Sequence, residues 1–369
     1  MAYSMEHGYF SVPVTPNWES LIDCIERRGT PARVHHIELY LDDEIKDIIC
    51  NRFGLLDGMK DHDPFFDLKK EIKIQRFLGY DYVRCSLDDF DMPLEKISVA
   101  DTAQIGRVGG REYINEKEGP ISNWEDFEKY PWPDPGLCKS TQLEWYEKNL
   151  PDDMCVIGSG GFAHFAEFLS WLMGYETLCY ALYEDRSLVD AISRKLEEIY
   201  DVVIRRLLEF DRVKIIWGSD DMGFKGGPLI SPDDLREFVL PGHKLMAGLS
   251  HQADRPYLLH SCGNLDLIME DLIEMVGIDA RHSYEDNIED VTTANERYGD
   301  RIAIMGGIDV DFLCRSNEKE IRSRVRQTLD ECLPGGGYCL GSGNSIANYI
   351  PVDNYLVMLD EGRRYFRTG

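Results

Sequence analysis

His260, Cys262, Glu285 and Cys339 combine one imidazole, two thiols and a carboxylate. That donor set suits Zn²⁺, which takes borderline nitrogen and sulfur ligands in tetrahedral geometry. His260 and Cys262 are two apart, the spacing that puts two side chains on one face of a strand. Glu285 and Cys339 follow 23 and 77 residues after Cys262, each near the end of a later apolar run. Asp286 and His282 compete for the fourth place. Glu285 is preferred because an incoming substrate displaces a carboxylate readily, which also gives it a catalytic role.

Further candidates stand at the ends of other apolar runs. Asp220 and Asp221 follow Trp217-Gly218-Ser219 and are expected either to orient a polar substrate and take a proton, or to cap nearby backbone N–H groups. Asp309 follows Gly306-Gly307 with the same two readings. His36 and Glu38 close the first run, and Phe162 and His164 follow Gly158-Ser159-Gly160-Gly161. These form a candidate substrate pocket with Asp309. The glycine cluster fits neither a P-loop nor GxGxxG, and it would admit a ligand or partner close to the backbone.

Residues from distant segments can meet only if a common framework aims them. Eight runs read as strands: Arg33–Leu39, Tyr80–Cys85, Met154–Gly160, Val213–Ser219, Pro256–Gly263, Ile278–Glu285, Ile302–Asp309 and Gly336–Asn344. Amphipathic stretches lie between them, the longest over Phe162–Phe210. Strand alternating with helix argues parallel pairing, and eight units close a (β/α)₈ TIM barrel whose strands end at the catalytic mouth. Ser231-Pro232, Asn264 and Ser316 read as helix starts, and Gly277 and Gly299 as helix ends. The whole chain, 1–369, then reads as one barrel domain. Residues 86–151 exceed a crossover helix and hold a hairpin signal at Gly109–Tyr113 and the proline ladder Tyr130–Gly136. Such an insertion after the second strand is expected to act as a lid.

The chain of 369 residues carries 40 Lys+Arg against 67 Asp+Glu, a net charge of −27. An acidic surface repels phosphate backbones and anionic lipids, so nucleic acid and membrane surfaces are not expected partners. No apolar stretch reaches the ~18 residues of a membrane helix. Met1–His7 shows neither a basic nor an apolar signal region, so the expected location is the cytoplasm. Ten scattered cysteines without a CxxC pair do not read as a disulfide framework.

The His260-x-Cys262 pair with a distant Cys339 resembles the zinc motif of methyltransferases in the uroporphyrinogen decarboxylase superfamily. The resemblance continues through Ile121–Phe127 with Tyr130-Pro131-Trp132-Pro133, Gly218–Gly223, Ser231-Pro232 with Leu240-Pro241, Met305–Asp309, and Leu340–Asn344 with Pro351. It implies methyl transfer between a small methylated or thiol substrate and a corrinoid (cobalamin) delivered by a partner protein, with Zn²⁺ at the mouth. The decarboxylases themselves resemble one another in an N-terminal Met-Arg-Gln-Ala-Gly-Arg motif that holds substrate carboxylates. Here that region reads Arg33-Val34-His35-His36-Ile37-Glu38-Leu39. Decarboxylation of a porphyrinogen in tetrapyrrole synthesis is therefore the second reading. A zinc-stabilised partner of a corrinoid protein, without catalysis, is the third.

Overall fold

The computed structural model describes residues 9–60, 62–101, 103, 105–106, 110–159 and 163–367. Seven strands pair in one wholly parallel sheet: β1 (Tyr82–Cys85), β4 (Cys155–Gly158), β5 (Val213–Ser219), β8 (Tyr257–His260), β9 (Ala280–His282), β10 (Ala303–Met305) and β11 (Tyr338–Cys339), in that spatial order. Two small antiparallel hairpins stand apart, β2 (Lys96–Val99) with β3 (Arg111–Ile114) and β6 (Gly223–Phe224) with β7 (Gly227–Pro228). At least one helical segment separates each sheet strand from the next, as parallel pairing requires. Every residue of β4 and β8 is buried, which is the pattern of strands covered on both faces.

Seven of the eight expected runs thus pair as strands, most of them shorter than the apolar run that announces them. The first does not form a ladder. Within residues 33–41, His36 and Leu41 make parallel bridges to Leu340 and Ile346, so this segment runs beside β11 and its continuation. The result is a curled parallel sheet of barrel-like form. Among the described residues no backbone pairing joins segment 33–41 to β1, and side chains bridge that gap instead. The Tyr82 hydroxyl accepts from Glu38 N at 2.9 Å and donates to Glu38 O at 3.2 Å.

Asp81, just before β1, makes the second bridge. Its carboxylate accepts from Asn17 N at 2.6 Å, lies 2.7 Å from His35 Nδ1, and pairs with the Arg33 guanidinium. Burial works against its charge, but Arg33 and His35 outweigh that and hold its pKa below the usual carboxylate range.

The stretch expected to be helical over Phe162–Phe210 is three helices, Phe165–Met173, Tyr175–Glu184 and Arg186–Leu208. The first break is at Gly174, where φ is 77° and a Cβ would meet the Lys117 carbonyl at 2.6 Å. Residues 86–151 hold the β2–β3 hairpin, helices Trp124–Lys129 and Thr141–Asn149, and a short turn of helix at Pro135–Leu137. Arg111 on the hairpin bonds to Asn348 in the loop after β11. Ser231 caps its helix through Asp234 N as expected, whereas Asn317 rather than Ser316 caps Glu318–Cys332, with Glu320 completing a capping box. Among the described residues no helix is long and apolar enough to cross a membrane.

Asp81→Asn should lower unfolding free energy by about 3–5 kcal/mol, because Arg33 and His35 lose a buried partner. A depressed folded pKa gives stability that is present above the ordinary carboxylate pKa of about 3.9 and is lost as pH falls through the folded value. Urea unfolding of both proteins should therefore show the difference shrinking below about pH 4.

Candidate metal centre

The register of β5, β8 and β9 brings three side chains together. Ser219 pairs with His260 and His260 with His282. Beyond the strand ends, Asp220 N donates to His260 O at 2.9 Å and Ser261 N to His282 O at 3.2 Å. Asp221 and Cys262 therefore leave neighbouring strands at the same level as the His260 ring. Ligand atoms of Asp221, His260 and Cys262 all lie within 4.8 Å of one another. His260 Nε2 is 3.4 Å from Cys262 Sγ and 3.5 Å from Asp221 Oδ1.

These separations can be tested against zinc geometry. Bonds of about 2.0 Å to nitrogen or oxygen and 2.3 Å to sulfur, at tetrahedral angles, place neighbouring donors roughly 3.3–3.6 Å apart. The His260 distances fall in that range, so the three residues could hold a metal ion. Their surroundings fit too. Ser283 Oγ and Asn344 Nδ2 donate towards Cys262 Sγ at 3.5 and 3.3 Å, as suits a thiolate. His260 Nδ1 lies 2.7 Å from His282 Nδ1. Burial is the largest cause that keeps His282 neutral. A neutral His282 accepting at Nδ1 leaves His260 Nε2 free as a ligand, with the second His282 nitrogen towards the Ser342 carbonyl. Ser283 itself has φ 93°, a strained conformation for a residue with a side chain.

Asp221 is poised to be anionic. Burial opposes its charge, yet a protonated His260 and the Cys262 N–H, at 2.8 Å, bring its pKa down to about 2, and a cation in place of the proton on His260 Nε2 would favour the anion in the same way. Burial and the Asp221 charge push the Cys262 thiol upward, so its ionisation calls for a cation.

The structure places several of the expected site residues outside this cluster. Cys339 is not in the cluster: it lies within β11, fully buried, with its thiol against Cys24. Asp220 takes the capping position, the second of its two expected readings. Its oxygens accept from Ala166 N (2.8 Å), Glu167 N (3.0 Å) and His243 Nε2 (2.9 Å), at the start of helix Phe165–Met173. Asp309 likewise caps helix Val310–Arg315 through Phe312 N and accepts from Asp286 N. Asp286 is paired with Arg324. His36 packs against Tyr80 and Gly362, with neither ring nitrogen bonded. Glu285 is half-buried and outside the group of three, its pKa raised by burial and then by Asp309 and Asp221. His164 bonds Glu167 at 2.6 Å, and Glu167 in turn accepts from Asp221 N at 3.1 Å. Phe162 lies outside the described residues.

Glu38 does line a cavity, of about 500 Å³, together with Tyr80, Tyr82, Arg84 and Ser159. Burial raises its carboxyl to about 8, against the Ser342 N–H and hydroxyl, which bond it at 2.8 and 2.6 Å. His260 and Cys262 are not part of the cavity wall. They connect to it through His282, whose ring packs edge-on to Trp217, and through Trp217, over which Arg84 lies. Arg84 escaped sequence reasoning although its alternation with Tyr82 already put both on one face of β1.

Residues 117–365 match the uroporphyrinogen decarboxylase (URO-D) family. The chain belongs to that family. Within it, the chain is 29% identical over 142 residues to a uroporphyrinogen decarboxylase of Thioalkalivibrio sulfidiphilus, 37% of this chain and 38% of the relative. It is 28% identical over 127 residues to a methylated-thiol–coenzyme M methyltransferase of Methanosarcina mazei, covering 34% and 32% of the two chains. The chain thus matches about a third of the length of these two relatives. A methyltransferase structure from Methanosarcina mazei shares the fold, with a TM-score of 0.69, 16% identity, and coverage of 94% and 98%.

Asp220 and Asp221 should separate cleanly on substitution. Asp220→Ala leaves two helix N–H groups and His243 Nε2 without their acceptor and should cost about 2–4 kcal/mol of stability. Asp221→Ala loses a partly solvated carboxylate, and thermal unfolding should show a clearly smaller drop.

Proposed function

We propose that this chain is a zinc-dependent methyltransferase that moves a methyl group between a small methylated or thiol substrate and a corrinoid carried by a partner protein. The observation that carries the reading is the Asp221–His260–Cys262 cluster at the carboxyl ends of parallel strands. Three protein ligands of mixed N, S and O type leave a tetrahedral position open, as catalytic rather than structural sites do. Family membership is compatible with either activity named among the relatives. Bound at these residues, zinc would supply a Lewis acid that keeps a substrate thiol ionised near neutral pH, where a free thiol of pKa about 8.5 is mostly protonated.

The chain's own groups do the rest. Asp221 and Cys262 balance a divalent charge, and Ser283 with Asn344 hold the sulfur by donating to it. His282 fixes the His260 ring and its tautomer. Glu285, with its pKa raised, is the carboxyl beside the cluster suited to take the proton that a thiol gives up. A corrinoid is too large for the interior of a packed barrel and would meet the substrate at its mouth. Decarboxylation of an octa-carboxylate porphyrinogen is less well supported. Arg84 is the one arginine on the cavity wall among the described residues, whereas such a substrate needs several.

Purified protein should carry about one zinc per chain. Cys262→Ala and His260→Ala should lose most of it, while Cys339→Ala should keep it, by elemental analysis. Visible spectra of cobalamin should change on addition of one member of a methylated-substrate panel, with Cys339→Ala active and Cys262→Ala silent. Release of CO₂ from uroporphyrinogen above background would instead establish the decarboxylase reading.

A further inference from the structure

The cavity beside the cluster holds a guanidinium that, among the described residues, no carboxylate contacts. Arg281 reaches Glu289 at 3.3 Å, and Arg363 donates to the Phe77 and Val12 carbonyls. Arg84 has no such outlet. Its Nε donates to Ser159 Oγ at 2.7 Å and its guanidinium lies 4.5 Å from the Trp217 ring centre. Nη1 is buried and makes no hydrogen bond, and among the described residues no carboxylate pairs with the side chain. Glu38 on the same cavity does not neutralise it, because at a pKa of about 8 it is largely protonated at neutral pH. Lys46, the other cation on the wall, already pairs with Glu71 at 3.1 Å. A half-buried guanidinium without a carboxylate in contact is costly, and a ligand that brings an oxyanion lowers the cost.

We propose that this cavity binds a small organic monoanion, its carboxylate accepting hydrogen bonds from the free edge of the Arg84 guanidinium and its apolar body lying between Tyr80, Tyr82 and Tyr146. One guanidinium without a contacting carboxylate suits one negative charge, and the Asp67 and Glu71 carboxylates on the same wall oppose a dianion such as phosphate. The phenol oxygens of Tyr80 and Tyr82 are already bonded to Tyr355 and the Glu38 backbone, so what these wall residues have left to offer a ligand is apolar ring carbon. The inference rests on the methyl-transfer reading only in making this anion the methyl substrate. The substrate class is then an acidic methylated compound, not a neutral sulfide or an amine.

Isothermal titration at pH 7 with 4-methoxybenzoate and its neutral isostere 4-methoxybenzamide tests the site without metal or corrinoid. The wild-type protein should bind the benzoate at one per chain and the benzamide at least tenfold more weakly. Arg84→Gln should lose that preference and Arg84→Lys should retain part of it, each with a wild-type circular dichroism spectrum. Should Arg84→Gln fail to fold, Ser159→Ala replaces it, with a smaller loss of benzoate affinity expected. Inorganic phosphate should not compete. Equal affinity for the two probes, wild-type behaviour of Arg84→Gln, or no saturable binding of the benzoate overturns the proposal. A preserved preference for the carboxylate alongside a silent cobalt assay would remove methyl transfer and leave the anion site standing.

Discussion

Parallel pairing of β5, β8 and β9 in one register, Ser219 to His260 to His282, is the constraint on which the site depends. Parallel strands bring all their carboxyl ends to one edge of the sheet, and the register decides which side chains meet there. A slip of one residue in β8 would turn His260 and Cys262 away from Asp221 and replace a ligand set with Ser261. The pairing continues one step past the strands, through Asp220 N to His260 O and Ser261 N to His282 O. The cluster is therefore held by backbone and does not rely on flexible loops for its geometry.

Burial and hydrogen bonding separate two kinds of carboxylate. Asp81, Asp220 and Asp309 each accept two or more hydrogen bonds from backbone or partner side chains and hold elements together. Asp221 and Glu285 follow the ends of β5 and β9 and are both partly exposed. Asp221 is held anionic by His260 and Cys262, while Glu285 is pushed towards its neutral form by burial and two acidic neighbours. Neighbouring carboxyl groups with pKa values driven apart are a pattern of acid–base sites. Arg84 is the opposite case, a cation that, among the described residues, no carboxylate contacts.

Much of the framework was legible because strand and helix periods differ sharply, and Val213–Ser219 is a strand over the residues expected. The first run was misjudged because Arg33–Leu39 has the composition of a strand, yet side chains of Asp81 and Tyr82 replace its ladder to β1. His260 and Cys262 were legible from their spacing. Cys339 misled because a strand run does not reveal where along its length the mouth begins. The residues after β11 that reach Cys262 include Asn344, five positions further on. Asp220 and Asp221 look alike in sequence. Only the helix start at Phe165, which Asp220 caps, separates the cap from the ligand candidate.

The central claim is a metal site with a single cysteine. X-ray absorption at the zinc edge, on zinc-loaded protein without added thiol, reads the ligand types directly. The account predicts one sulfur at about 2.3 Å and the remaining nitrogen and oxygen ligands at about 2.0–2.2 Å, with the sulfur shell absent in Cys262→Ala. Two sulfur ligands, or a sulfur shell that survives in Cys262→Ala and disappears in Cys339→Ala, would contradict it.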